Sequence, residues 1–186
     1  MARLKYSHWF VCKYRYSFIV IVLPIYADQY FDGIKSYGWF LSSMALGAFL
    51  GAWIISKKSR IVNRMLKYYL FMLNVGFFVL LLSFIDIFYF ALLFMFFIGF
   101  SITSFVILWD STVQEAVEEK YLGRVTSLQM FGGLLFLPMG YFAFGLIIDY
   151  INVQVALIIS AIFIILSALA GVFVQKSYDN NSTFAD

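Results

Sequence analysis

The side chains able to do chemistry are few and scattered. His8 and Cys12 are the only residues of their kinds, and both lie near the basic N-terminus. A lone cysteine forms no internal disulfide. A metal centre needs several His, Cys or carboxylate ligands converging, so neither a metal nor a cofactor is expected. A Ser–His pair would have to carry His8 into an apolar interior, and there is no Gly-rich phosphate loop with its lysine; neither an enzyme nor direct use of ATP is expected. What remains is a handful of polar groups set among apolar residues. Tyr26, Asp28 and Gln29 form one group, Ser101, Thr103, Ser104 and Asp110 a second, and Gln129 stands alone. In lipid such groups are functional candidates by default, although hydroxyls also serve as glue between helices. Asp110 and Glu115 lie near Arg124 along the chain. That spacing allows an ion-paired gate, or a solvated cluster worth little.

The elements that must hold these groups are membrane spans. Apolar residues make up 63% of the chain and charged residues 12%, against about half and a quarter in soluble domains. Six apolar runs follow one another: Tyr16–Phe31, Tyr37–Ser56, Tyr68–Phe84, Ile87–Trp109, Val125–Ile148 and Val153–Val174. A charge at a helix centre costs about 2.5–3.5 kcal/mol on insertion scales, so uninterrupted runs of this length are a strong signal. Lys13 and Arg15 shorten the first run, and snorkelling of both toward water would accommodate it. The expected fold is therefore all-α and integral to the membrane, a bundle of six transmembrane helices spanning residues 16–174. A basic tail, 1–15, precedes it, and a polar tail, 175–186, expected to be disordered, follows.

Orientation follows from Lys and Arg. Arg3, Lys5, Lys13 and Arg15 precede the first run; Lys57, Lys58, Arg60, Arg64 and Lys67 fill the second connection; Lys120 and Arg124 fill the fourth; Lys176 is in the C-terminal tail. With six spans these segments all face one side, and only Lys35 faces the other. Both termini are thus expected in the cytoplasm of a multi-pass protein of the cell membrane. Tyr30, Tyr37, Trp39, Tyr89 and Tyr150 then fall at the outer edge, and Tyr68, Tyr69, Trp109 and Tyr121 at the inner edge, where amphipathic rings prefer to sit. No cleavable leader is evident. The glycosylation patterns that start at Asn180 and Asn181 would be inert in the cytoplasm. The basic residues read as topology signals, with no nucleic-acid partner implied.

Ser43, Gly47 and Gly51 recur at a spacing of four, with Ala48 and Ala52 beside them. Such a stripe lets a second helix approach closely, for plain packing or for sliding. The fifth run holds Gly132, Gly133, Gly140, Gly145 and Pro138, and Pro24 interrupts the first. Each proline removes a backbone donor, which lipid tolerates only where neighbours or a wet cavity compensate.

Several of these residues carry a resemblance. Leu23-Pro24-Ile25-Tyr26-Ala27, Tyr37-Gly38, Gly47 and Gly51 look like helices seven and eight of a major facilitator transporter. The stretch from Glu118 through Gly123-Arg124-Val125 to Ser127-Leu128 resembles the connection between helices ten and eleven, and Leu137-Pro138, Gly140, Gly145 and Asp149 resemble helix eleven. The nearest branch is the macrolide-efflux and enterobactin-exporter type, and the match covers about residues 20–174. Two departures stand out. Ser56-Lys57-Lys58-Ser59-Arg60 lacks the Asp and Gly of the family's Asp-Arg-x-Gly-Arg latch. Only six of the twelve helices are present, as one half built from a three-plus-three inverted repeat.

The resemblance implies roles. Tyr26, Gln29, Ser101, Thr103, Ser104, Trp109 and Asp110 would line the central cavity or its rim. Gly47, Gly51 and Pro138 would be packing points of rocking helices, and Gly123 and Arg124 part of a cytoplasmic gate. Asp28 and Asp110 would be the carboxylates available for proton coupling. The implied function is efflux of a small lipophilic molecule, together with a separately encoded N-terminal half or a second copy of the chain. Two alternatives stay open: a truncated, non-transporting remnant, and a six-helix ligand-binding subunit of a larger importer.

Overall fold

The computed structural model describes residues 22–57, 64–128, 130, 131, 138 and 152–182, with side chains through residue 173. These residues form helices joined by short connections, and no strand occurs among them. We number the helices α1 (22–30), α2 (Ile34–Ser56), α3 (Arg64–Leu82), α4 (Phe88–Ala116), α5 (119–128) and α6 (Val153–Ser182). In hydrocarbon a segment must satisfy its own backbone donors and acceptors, and the helix does this within one strand of chain. Among the described residues four stretches are long and apolar enough to cross a membrane: Ile34–Ser56, Arg64–Leu82, Phe88–Ala116 and Val153–Phe173.

Charge-free length understates several helices. α2 begins at Ile34 rather than Tyr37, because Lys35 points outward from its first turn. α3 takes in Arg64 and Lys67 and stops at Leu82. α4 runs on to Ala116, past Asp110 and Glu115. At 1.5 Å per residue its 29 residues reach ~43 Å, more than the ~30 Å of hydrocarbon, so one end stands in water. α5 is already helical at residue 119, six positions before Val125. α6 continues through Ser182, so the segment 175–182 is helical where disorder was expected. It contains no Gly or Pro to end the helix. The remainder of the expected first and fifth spans, with Gln129, Gly132, Gly133, Gly140, Gly145 and Asp149, lies outside the described residues.

Packing divides the bundle into seams. Between α2 and α4 the backbones themselves touch. A Cβ on Gly51 would sit 2.7 Å from the Phe100 carbonyl oxygen; one on Gly47 would strike the carbonyl of Phe96, and one on Gly99 the carbonyl of Met44. Ser43 Oγ donates to the Leu92 carbonyl at 2.7 Å along the same line. The spacing-four stripe of α2 therefore does pack a neighbouring helix closely, and Gly99 answers it from α4. The α3–α6 seam differs in kind. Gly76 faces the side chains of Ile164 and Ile165, and Gly171 faces the ring of Tyr69. Side chains of α1, α2, α3, α4 and α6 share one core, in which Phe40, Val79, Met95, Ile98 and Leu157 are fully buried.

The helix ends sort by charge. At one end Tyr30 Oη lies 3.4 Å from Asn152 Oδ1, and Tyr26 Oη donates to the Ile85 carbonyl. The 31–33 corner, the 83–87 connection and the start of α6 thus gather together. At the other end Arg64 of α3 pairs with Glu115 of α4 at 2.6 Å. Lys57, Arg64, Lys67, Lys120 and Arg124 lie toward this second end and Lys35 at the first, which matches the segregation expected from the sequence. Gly33 makes the 31–33 corner possible. Its φ of 60° is a left-handed value, and a side chain there would also crowd Asp28 Oδ1 at 3.1 Å.

Candidate functional site

The polar groups singled out from the sequence separate into those turned into the bundle and those turned out of it. Tyr26 is 1% exposed. Its hydroxyl is shared between the Ile85 carbonyl at 2.7 Å, in the α3–α4 connection, and the Leu82 carbonyl at 3.2 Å, which closes α3 and also accepts from the Ile85 N–H. Its ring packs in a cluster with Tyr30, Phe31 and Phe40, and Phe88 extends that cluster. Tyr26 thus ties α1 to the α3–α4 connection.

Ser101 and Ser104 are both fully buried. Ser101 Oγ accepts from Asn74 Nδ2 of α3 at 2.9 Å. Ser104 donates back to the Phe100 carbonyl of its own helix at 2.7 Å and lies against Gly51. Ser101 therefore bonds α4 to α3, while Ser104 is satisfied within α4 where that helix meets α2. Trp109 is buried too, its ring 5.8 Å from that of Tyr68, which also packs on Phe105. Asn74 was not singled out from the sequence. A lone amide in an apolar helix was the available signal, and only the fold shows that it meets Ser101.

The outward group is smaller. Asp28 and Gln29 are exposed on α1, beside exposed Pro24. On α4, half-buried Thr103 is followed by exposed Val106, Asp110 and Gln114. Spacings of three, seven and eleven residues place these four along one face of the helix. Gln114 was also missed, because the apolar run ends at Trp109 while the helix continues. The result is a stripe that is partly apolar toward mid-membrane and polar toward the basic end.

At the fourth connection the charged residues separate. Glu115 is engaged by Arg64 of α3, while Arg124 is exposed on α5. Gly123 has open space around its Cα, and Pro138 is exposed and helical. Lys57 Nζ sits 3.7 Å above the Trp53 ring, and Lys120 Nζ 4.6 Å from that of Tyr121. Such cation–aromatic contacts suit the headgroup level. Among the described residues no three His, Cys, Asp or Glu side chains converge as a metal site would require.

The arrangement offers a membrane bundle with a buried packing interior and an open, amphipathic helix face. It holds no group placed for covalent chemistry among the described residues. Comparison with known proteins agrees in kind. No curated protein and no solved structure matches the chain. A family model described as transmembrane secretion effector matches residues 10–183, nearly the whole sequence. Helical spans, charge-sorted ends and this match together place the chain in a membrane-transport family: it belongs to the transmembrane secretion effectors of the major facilitator type.

Proposed function

We propose that the chain works as one half of an efflux-type secondary transporter for a small lipophilic molecule. Its six spans would correspond to the C-terminal half of a macrolide-efflux-like exporter, arranged as two inverted three-helix repeats. A separately encoded N-terminal half, or a second copy, would supply the opposite wall of the cavity. The observation that carries this reading is the family match over residues 10–183. The open stripe on α4 supports it. Thr103, Val106, Asp110 and Gln114 turn away from the bundle's own core, as a wall facing a second half would.

In this reading Gln29, Thr103, Asp110 and Gln114 contact the substrate or the rim of its cavity, and Asp28 and Asp110 are the carboxylates available for coupling. Tyr26, Ser101, Ser104 and Trp109 contribute from behind by fixing the helices. Gly47 and Gly51 hold α2 to α4; Gly123, Arg124 and Pro138 belong to the moving inner end. Both termini lie in the cytoplasm.

The test is transport with and without a partner half. Cells lacking their main exporters, co-expressing this chain with a six-span N-terminal half encoded beside it, should retain less of a fluorescent lipophilic cation or macrolide than cells with either half alone. Equal retention in all three would overturn the two-half reading. High-affinity ligand binding by the purified chain alone would favour the ligand-binding-subunit alternative.

A further inference from the structure

On the outward face of α3 runs an open groove of about 600 Å³, with Lys67, Leu70, Phe71, Leu73, Asn74 and Phe77 in its wall. We propose that this groove binds one anionic phospholipid from the leaflet at the basic end of the bundle, its phosphate on Lys67 and one acyl chain along Leu70, Phe71 and Phe77.

Three observations meet here. The first is charge. Arg64, one turn away, is taken by Glu115, whereas Lys67 is half-buried in the groove wall and has no carboxylate partner among the described residues. A basic pocket at the membrane surface between or beside helices is the arrangement that recognises anionic headgroups. The second is length. From Lys67 to Phe77 the wall rises roughly 15 Å at helical pitch, half of the ~30 Å hydrocarbon thickness. The groove therefore starts at headgroup level and ends near the midplane, the reach of a single chain. The third is composition. Leu70 and Phe77 are about half exposed, and the ring of Phe71 lies against Phe100 of α4. Asn74, an amide in this wall, turns its Nδ2 to Ser101. The face opposite, with Tyr69 and Gly76, is occupied by α6, so the groove opens to lipid.

The experiment uses the full chain in nanodiscs made from equal parts phosphatidylglycerol and phosphatidylcholine. Lipid that stays bound after transfer to detergent is quantified by mass spectrometry. Wild type should retain phosphatidylglycerol about fivefold over phosphatidylcholine, the preference expected of one lysine at the surface. Lys67→Gln should bring the ratio near one, and Lys67→Arg should keep it. Leu70→Trp should lower total retained lipid, and Lys57→Gln should leave both measures unchanged. A wild-type ratio equal to the bulk, or an equal loss in Lys57→Gln and Lys67→Gln, would overturn the proposal. The readout involves no transported molecule, so its failure would leave the transport reading standing.

Discussion

Single residues in this bundle divide by what their polar atoms touch, and that decides how each should respond to substitution. Tyr26→Phe removes one buried donor to carbonyls at the end of α3. It should cost about 1 kcal/mol, seen as a lower midpoint in thermal unfolding in detergent, with substrate affinity unchanged. Ser101→Ala takes the acceptor from Asn74; interhelical hydrogen bonds in membranes average about 0.6 kcal/mol, so the loss of stability should be smaller still. Gln114→Ala lies on the outward stripe. It should lower efflux severalfold in the co-expression assay while leaving the unfolding midpoint within error. If the stability moves and efflux does not, the stripe is packing surface. These differences were not legible in the sequence, where Tyr26, Ser101 and Asp110 are equally polar residues in apolar runs. Side-chain direction relative to the core separates them, and it depends on where neighbouring helices pass.

At the scale of the helices, the glycines of α2 and α4 act through backbone proximity. Gly47→Leu should prevent close approach of the two helices, because Phe96 carbonyl atoms have no room to retreat; the outcome to look for is loss of monodisperse protein by size-exclusion chromatography. Gly38→Leu, at a position with nothing within 4 Å, should express normally. The stripe was readable from spacing alone, and so were the four apolar runs that lie in α2, α3, α4 and α6. Helix ends were not, since α4 carries Asp110 and Glu115 on its projecting turns, beyond the point where the apolar run stops. Gly99 escaped notice for a related reason. It is a lone glycine with no partner at spacing four on the side that matters, and its role appears only against Met44.

For the molecule as a whole, topology is the property most open to test. Cys12 is the sole cysteine, so a Cys12→Ser background permits single reporters. A cysteine in place of Lys57 or Glu119 should be labelled by a membrane-impermeant maleimide only after the membrane is opened, and one in place of Lys35 should be labelled in intact cells. Protection of all three, or labelling of all three, would contradict the sorted ends. One further consequence follows from the seam between α2 and α4. A single helix answers a thinner bilayer by leaning over, but two helices whose main chains interlock cannot lean independently. They must swing in step, and the outward stripe on α4 swings with them. Acyl-chain length in the surrounding lipid thereby becomes a dial on the angle at which this half meets whatever faces it.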